Sequence, residues 1–170
     1  MEDYILWLKR INPTLINNFR KRKSKLYGSY FAPLVNTNCV KNDISISDNI
    51  IITGPNASGK TTILKSALFN IILSQQLGVG FFDKATITPF KYIHSYLNIP
   101  DTSNRDSLFQ AEARRCKEIL DTIINSNEKE KHFCIFDELY SGTNPNEAIA
   151  SAISYLRFIS KYKNVNFILT

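Results

Sequence analysis

Cysteine and long apolar runs are both scarce in this chain of 170 residues. The three cysteines, Cys39, Cys116 and Cys134, are widely spaced and have no histidine at metal-ligand spacing, which argues against a disulfide framework and a zinc site. No apolar run approaches the roughly 18 residues of a membrane span, and the first residues lack the charged-then-apolar order of a signal peptide. We therefore expect a soluble, intracellular protein that does not enter a membrane.

Acidic residues are outnumbered, because 15 Asp and Glu stand against 21 Lys and Arg and leave a net charge of +6. A surplus of this size favours acidic partners such as nucleotides or DNA without requiring them. The basic residues concentrate before residue 27, either as a solvated face or as a patch that contacts phosphates. Any direct binding of DNA by this chain is expected to be weak, non-specific and sensitive to salt. The residues concerned are Lys9, Arg10, Arg20, Lys21, Arg22, Lys23 and Lys25.

The most specific pattern is GPNASGKT at residues 54–61, a complete GxxxxGK[ST] phosphate-binding loop, or Walker A motif. It follows an apolar run at residues 50–52 and precedes a stretch of helical periodicity, which is the setting that a P-loop needs. In such a loop backbone N–H groups surround a phosphate, Lys60 meets the β and γ oxygens, and the Thr61 hydroxyl coordinates Mg²⁺. The residues predicted to contact ATP are Gly54, Pro55, Asn56, Ala57, Ser58, Gly59, Lys60, Thr61 and Thr62.

A second apolar segment, residues 132–136, ends in Asp137 and Glu138. An open parallel sheet binds its ligands at the carboxyl ends of its strands, which is where this pair would lie. An acidic pair in that position is more often a capping or turn feature. The phosphate loop upstream is what favours a catalytic interpretation here.

Strand-like and helical segments alternate along the chain. Strands are predicted at residues 30–35, 44–46, 50–53, 85–88, 92–96, 132–136 and 165–169, and helices at 59–76, 107–125 and from 144 onward. Gly78 is a stop signal for the first of these helices, and the last is expected to pack through Ile149, Ile153, Leu156 and Ile159. This order predicts an α/β domain over residues 27–170: a three-layer P-loop nucleotide hydrolase with a largely parallel sheet and short antiparallel strands near its amino end. Residues 1–26 read as a helical and basic appendage, with a short helix after Pro13.

From residue 27 onward the motifs resemble the ATPase domain of the MutS family, the DNA mismatch-repair and recombination proteins related to ABC-type ATPases. The Thr-Gly-Pro-Asn start at 53–56 is more particular than the general loop pattern. The stretch 107–112 resembles the family's Ser-Thr-Phe-x-x-Glu helix start, and 137–143 its Asp-Glu-x-x-x-Gly-Thr segment. Three matches in the right order are far more specific than any one of them.

The resemblance implies an ATP-binding, Mg²⁺-dependent ATPase domain that forms composite sites by head-to-tail pairing with a second subunit, in a homodimer. It also implies a role in DNA mismatch repair or recombination, with mismatched DNA bound by the full assembly. By position, Thr61 and Asp137 would hold Mg²⁺, while Glu138 would orient or deprotonate the attacking water beside Lys60. Ser107 would reach the γ-phosphate of nucleotide on the other subunit.

Three positions depart from the family's pattern. The glycine expected shortly before Ser107 is replaced by the Asn-Arg-Asp of residues 104–106, so the contact in trans would differ. Cys39 stands where the family has an aromatic ring that stacks on adenine, so adenine would be held less firmly. The sequence ends at Thr170, before the position of the family's γ-phosphate-sensing histidine. From this we expect a carboxyl-terminally incomplete domain with weak dimerisation and slow turnover.

Three rivals to a MutS-type ATPase follow from the same residues. A head of the structural-maintenance-of-chromosomes type would carry an LSGGQ-like glycine-rich signature, which the sequence lacks. A P-loop metabolite kinase predicts a lid with several arginines and no need for Glu138. A nucleotide-dependent interaction module without hydrolysis stays open, because the altered signature before Ser107 and the missing histidine both fit it.

Overall fold

The computed structural model describes residues 13–15, 18–19, 23–35, 37, 39–97, 99 and 107–170. The apolar cluster at residues 4–8, the basic residues before Lys23 and the tripeptide 104–106 lie outside this described part. The chain divides into two compact units, the first drawn from Met1–Asp48 and Thr53–Pro89 and the second from Asn49–Ile52 and Phe90–Thr170. Each unit is therefore described by itself.

The described residues form ten strands and three α-helices. The strands are β1 Thr14–Leu15, β2 Asn18–Phe19, β3 Ser24–Ser29, β4 Asn42–Ile46, β5 Ile50–Ile51, β6 Val79–Gly80, β7 Lys84–Ile87, β8 Tyr92–Tyr96, β9 His132–Phe136 and β10 Val165–Leu169. The helices are α1 Lys60–Leu77, α2 Leu108–Asn125 and α3 Pro145–Ile159. Within the described part, none of them is both long enough and apolar enough to cross a membrane.

The first unit holds a mixed sheet with the strand order β2-β7-β3-β4. β3 is antiparallel to both of its neighbours, which confirms the short antiparallel strands, and β1 pairs with β6 in the same sense. The short helix predicted after Pro13 is wrong at the described positions. There the backbone of β1 bonds to β6 and that of β2 to β7, so tertiary pairing overrides the helical pattern. The boundary at residues 26/27 falls within β3 and stays a prediction.

The strand predicted at residues 30–35 is also wrong. β3 ends at Ser29, and Ala32–Leu34 forms a 3₁₀ helix that has Pro33 in its first turn. Proline has a fixed φ and no N–H to donate, so it does not continue a paired strand. The strand lies earlier, where Ser24, Leu26 and Ser29 are buried.

The second unit is built on a wholly parallel sheet with the strand order β5-β10-β9-β8. Ile51, Leu169, Phe136 and Tyr96 are in register across it, so all four strands end at the same edge. β10 lies between β5, which leads into the phosphate loop, and β9, which leads into the acidic pair. The α/β class with a parallel sheet is thus confirmed, whereas the three-layer P-loop arrangement stays a prediction.

Both helices of the second unit pack on the sheet face that carries Cys134 and Phe136. The face predicted for α3 is wrong in part, because Ile149 and Ile153 are 58% and 45% exposed. The Tyr155 ring is buried instead, with its centroid 5.8 Å from that of Phe136 in an edge-to-face contact. A large ring removes more apolar area from water than an isoleucine side chain, so it sets which side of α3 faces the sheet.

Candidate functional site

The loop at residues 54–61 has the backbone that its glycines predict. Gly59, the N-cap of α1, has φ 93°, and Ala57 has φ 63°, so two left-handed residues lie within three positions. A Cβ at Gly54 would lie 3.0 Å from Ser58 Oγ, tighter than ordinary contact. Glycine thus occupies a tight position at Gly54 and a left-handed position at Gly59. The loop leads directly into the amino terminus of α1, the positive end of the helix dipole.

Lys60 folds back over this loop. Its Nζ donates hydrogen bonds of 3.0 Å to the carbonyl oxygens of Gly54 and of Pro55. These bonds place the ammonium group over the turn, which is the position from which a P-loop lysine meets phosphate oxygens. The residues of the turn, 53–58, are exposed, while Lys60, Thr61 and Thr62 are half-buried.

The predicted acidic residues lie at the carboxyl edge of the parallel sheet. Thr170, which follows β10, donates from Oγ1 to Asp137 Oδ1 over 2.6 Å, and the Asp137 N–H donates to the Tyr96 carbonyl over 3.0 Å. Asp137 is thereby held between the ends of β8 and β10. Glu138 is exposed and has φ 52°, a left-handed conformation that is rare outside glycine. Residues in such conformations concentrate at functional sites.

Ser107 lies at the start of α2, where it is the N-cap. Its Oγ accepts a hydrogen bond of 3.3 Å from the Gln110 N–H, and Gln110 Oε1 accepts one of 2.9 Å from the Ser107 N–H. This reciprocal pair is a capping box. The oxygen of Ser107 acts as the acceptor in this cap.

Glu112 is the Glu of the Ser-Thr-Phe-x-x-Glu resemblance, which by itself gave this residue no structural role. It is 2% exposed and accepts hydrogen bonds from the Ser141 N–H at 3.0 Å, the Ser141 hydroxyl at 3.1 Å and the Gly142 N–H at 3.2 Å. The signal in the sequence is its position one helical turn before Cys116, on the buried side of α2. An acidic residue there needs polar partners, and helical periodicity does not reveal which ones.

The sequence profile of MutS domain V matches residues 50–170. This chain belongs to the MutS family. The resemblance of the phosphate loop, the helix start and the acidic segment is confirmed, since all three lie within the matched residues. A MutS origin also disfavours the metabolite kinase and the chromosome-maintenance type of head.

Curated MutS relatives cover most of this chain. Endonuclease MutS2 of Staphylococcus epidermidis is 28% identical over 163 residues, which are 93% of this chain and 20% of the relative. Endonuclease MutS2 of Staphylococcus haemolyticus is 32% identical over 158 residues, 90% of this chain and 19% of the relative. DNA mismatch repair protein MSH3 of Debaryomyces hansenii is 32% identical over 131 residues, which are 72% of this chain and 12% of the relative. The chain thus spans a fifth or less of the length of each of these relatives.

The residues of this MutS domain fit ATP and Mg²⁺ by the chemistry of their donors. The loop carries a cation and helix-terminal N–H groups, which suit phosphate oxygens. Mg²⁺ takes oxygen ligands, and the Thr61 hydroxyl and the Asp137 carboxylate are each groups of that kind. The bond from Thr170 Oγ1 orients one Asp137 oxygen.

Proposed function

We propose that this MutS-family chain is an ATP-binding, Mg²⁺-dependent ATPase domain with the fold of a P-loop nucleotide hydrolase. The observation that carries the proposal is the loop at residues 54–61. It combines the left-handed Gly59 with the Lys60 ammonium held over the turn by two carbonyls. A turn that only connected a strand to a helix would have no need of a cation in that position.

Each candidate residue has one role in this proposal. Lys60 neutralises the β- and γ-phosphates, and Thr61 and Asp137 provide oxygen ligands for Mg²⁺, which when bound offsets the negative charge of the phosphates. Glu138 is exposed at the carboxyl edge of the sheet, where it can orient or accept a proton from the attacking water. Ser107 donates its hydroxyl proton to nucleotide held by a second ATPase subunit, in a homodimer.

DNA enters the proposal as a partner of the full assembly. Relatives named for an endonuclease and for DNA mismatch repair support a role in mismatch repair or recombination, and each is far longer than this chain. The chain's own contribution is then to bind and hydrolyse ATP. Its contact with DNA is limited to weak, salt-sensitive binding by the basic residues before residue 27.

Replacing Lys60 tests the nucleotide site. Lys60→Ala should weaken ATP binding by about 100-fold or more, because charge-assisted hydrogen bonds to phosphate are lost. Equilibrium titration with a fluorescent ATP analogue measures the change. The matched control is Lys65→Ala, which removes an equal charge from the same helix and should keep the affinity of the unaltered chain. Unchanged affinity in Lys60→Ala would rule out the phosphate-loop assignment.

Replacing Glu138 separates hydrolysis from binding. Glu138→Gln should bind ATP with Mg²⁺ normally and hydrolyse it about 100-fold more slowly, since only the proton-accepting oxygen is lost. Steady-state turnover and ATP titration are compared with those of Glu128→Gln, an exposed control. Equal loss of binding and turnover would instead make Glu138 a metal or structural residue. Tight ATP binding without turnover in the unaltered chain would favour the non-hydrolysing interaction module.

A further inference from the structure

Glu112 is a buried acidic side chain that accepts three hydrogen bonds from one loop and also meets the Tyr96 side chain. Ser141 donates to Oε1 from both its N–H and its hydroxyl, and the Gly142 N–H donates to Oε2. A carboxylate is stable in the interior only when such donors replace its water. The donors belong to the segment that directly follows Asp137 and Glu138, so the charge of Glu112 is matched by the loop after the acidic pair.

That loop has a backbone that needs external support. Glu138 has φ 52° and Tyr140 has φ 59°, two left-handed non-glycine residues separated by a single position. Conformations of this kind persist only where the surroundings over-determine them. Here the Tyr140 N–H donates to Tyr96 Oη over 3.2 Å, and the bonds to Glu112 hold the two residues that follow.

The loop also touches the first turn of α2. A Cβ on Gly142 would lie 2.6 Å from Leu108 Cγ, so the backbone of Gly142 lies directly against that side chain. Leu108 is the first residue of α2 and follows the N-cap Ser107. The loop is thus bound to α2 at two levels, by packing on Leu108 and by hydrogen bonds to Glu112 one turn further along.

We propose that Glu112 is a positioning residue that locks the loop after Glu138 to the amino-terminal part of α2. The inference rests on the proposed function, in which Glu138 acts on water at one nucleotide and Ser107 contacts the nucleotide of a second subunit. Because Glu112 joins the two segments, the placement of Glu138 depends on the position of the helix start that carries Ser107. Binding of a partner's nucleotide to Ser107 would then change the position of Glu138 through the hydrogen bonds of Glu112.

Glu112→Gln in the complete 170-residue chain tests this lock. Glutamine keeps the volume of the side chain but replaces one acceptor oxygen by an NH₂ donor, which faces the donors of Ser141 or Gly142. Hydrogen exchange at these two amides should become about tenfold faster, because their protection depends on those bonds. Affinity for ATP should stay within about threefold, while turnover falls about tenfold, the pattern of a lost positioning interaction. Glu118→Gln is the matched control, because Glu118 is an exposed acid on α2 that pairs with Arg115 at 3.1 Å. It should change neither the hydrogen exchange of Ser141 and Gly142 nor the turnover.

Each outcome decides a separate point. Unchanged exchange at Ser141 and Gly142 would overturn the lock whether or not the chain binds ATP. Faster exchange with normal turnover would overturn the positioning role, as would a loss of ATP affinity as large as the loss of turnover. If the unaltered chain bound no ATP, both the proposed function and the effect of Glu112 on turnover would be wrong. Hydrogen exchange at Ser141 and Gly142 would still test whether Glu112 holds the loop. If Glu112→Gln does not fold, Ser141→Ala removes a single donor, and the same two readouts should shift in the same directions by smaller factors.

Discussion

Asn70 lies in the interior of the first unit, 1% exposed, on a helix whose apolar pattern predicts only hydrophobic contacts. Its Oδ1 accepts a hydrogen bond of 2.6 Å from the Phe81 N–H, and its Nδ2 donates to the carbonyl oxygens of Tyr30 at 3.1 Å and Phe81 at 3.2 Å. This side chain thereby bonds to backbone groups of one residue before α1 and one residue after it in the sequence. Ile72, an apolar residue two positions further along the same helix, is 38% exposed.

Asn70→Leu should lower the free energy of unfolding by about 2–4 kcal/mol, because the Phe81 N–H is left buried without its acceptor. Urea denaturation followed by circular dichroism measures the change. Asn125→Ala is the control, since this asparagine is exposed and its Nδ2 donates within α2, to the Asp121 carbonyl. It should shift stability by about 0.5 kcal/mol or less. Similar losses in the two variants would contradict the role assigned to Asn70.

At the scale of elements, α2 begins at a capping box that serves both stability and the candidate site. Ser107→Ala removes the acceptor of the Gln110 N–H and should cost about 1 kcal/mol of unfolding free energy. Ser107→Asp should restore that stability, because aspartate caps a helix equally well. It should not restore any nucleotide contact that needs a hydroxyl proton. Ser154→Ala, on the exposed side of α3, is the control and should be neutral in urea denaturation. A neutral Ser107→Ala would mean that the cap contributes nothing.

At the scale of the whole molecule, the pH dependence of stability should be controlled by one pair of side chains. The chain has two histidines, and His94 Nε2 lies 3.0 Å from His132 Nδ1 in the second unit. Burial, then the neighbouring His132 and Arg115, lower the pKa of His94 to about 4, and burial lowers the pKa of His132 despite Glu130. His132 Nε2 also lies 2.8 Å from Ser126 Oγ, so the pair is held as a neutral network.

Acid should therefore destabilise the chain between about pH 6.5 and pH 4. The unfolded histidine takes up a proton near pH 6.5 and the folded His94 only near pH 4, so the unfolded state binds more protons between these values and stability falls as the pH falls. From pH 7 to pH 5, His94 alone should lower the unfolding free energy by about 2 kcal/mol, measured by urea denaturation. His94→Asn should flatten this slope, whatever its effect at pH 7. An unchanged slope would show that other groups control it.

Short-range chemistry explains what could be predicted from the sequence. The loop at residues 54–61 depends on glycine at a left-handed position, the end of α1 on Gly78 at φ 73°, and the starts of α2 and α3 on capping residues. Each of these is settled within about four neighbouring residues, so a linear pattern reveals it. The strand that delivers Asp137 and Glu138 was predictable for the same reason, since β9 is buried on both faces and is apolar throughout except His132.

Only the tertiary structure decided which residues those local elements meet. Glu112 finds its donors 29 and 30 positions later, and His94 finds His132 38 positions later, distances at which no periodicity carries information. Packing of the Tyr155 ring on Phe136 determines which face of α3 is exposed. Pro33, in the 3₁₀ helix, is the reason that β3 ends earlier than predicted. The chemistry proposed for loop 54–61 and for the acidic pair could be predicted from the sequence, because it depends on residue type and local backbone. Partner choice among buried polar groups was decided by the packing of strands and helices, because burial makes each unmatched donor or acceptor costly wherever its partner lies in the chain.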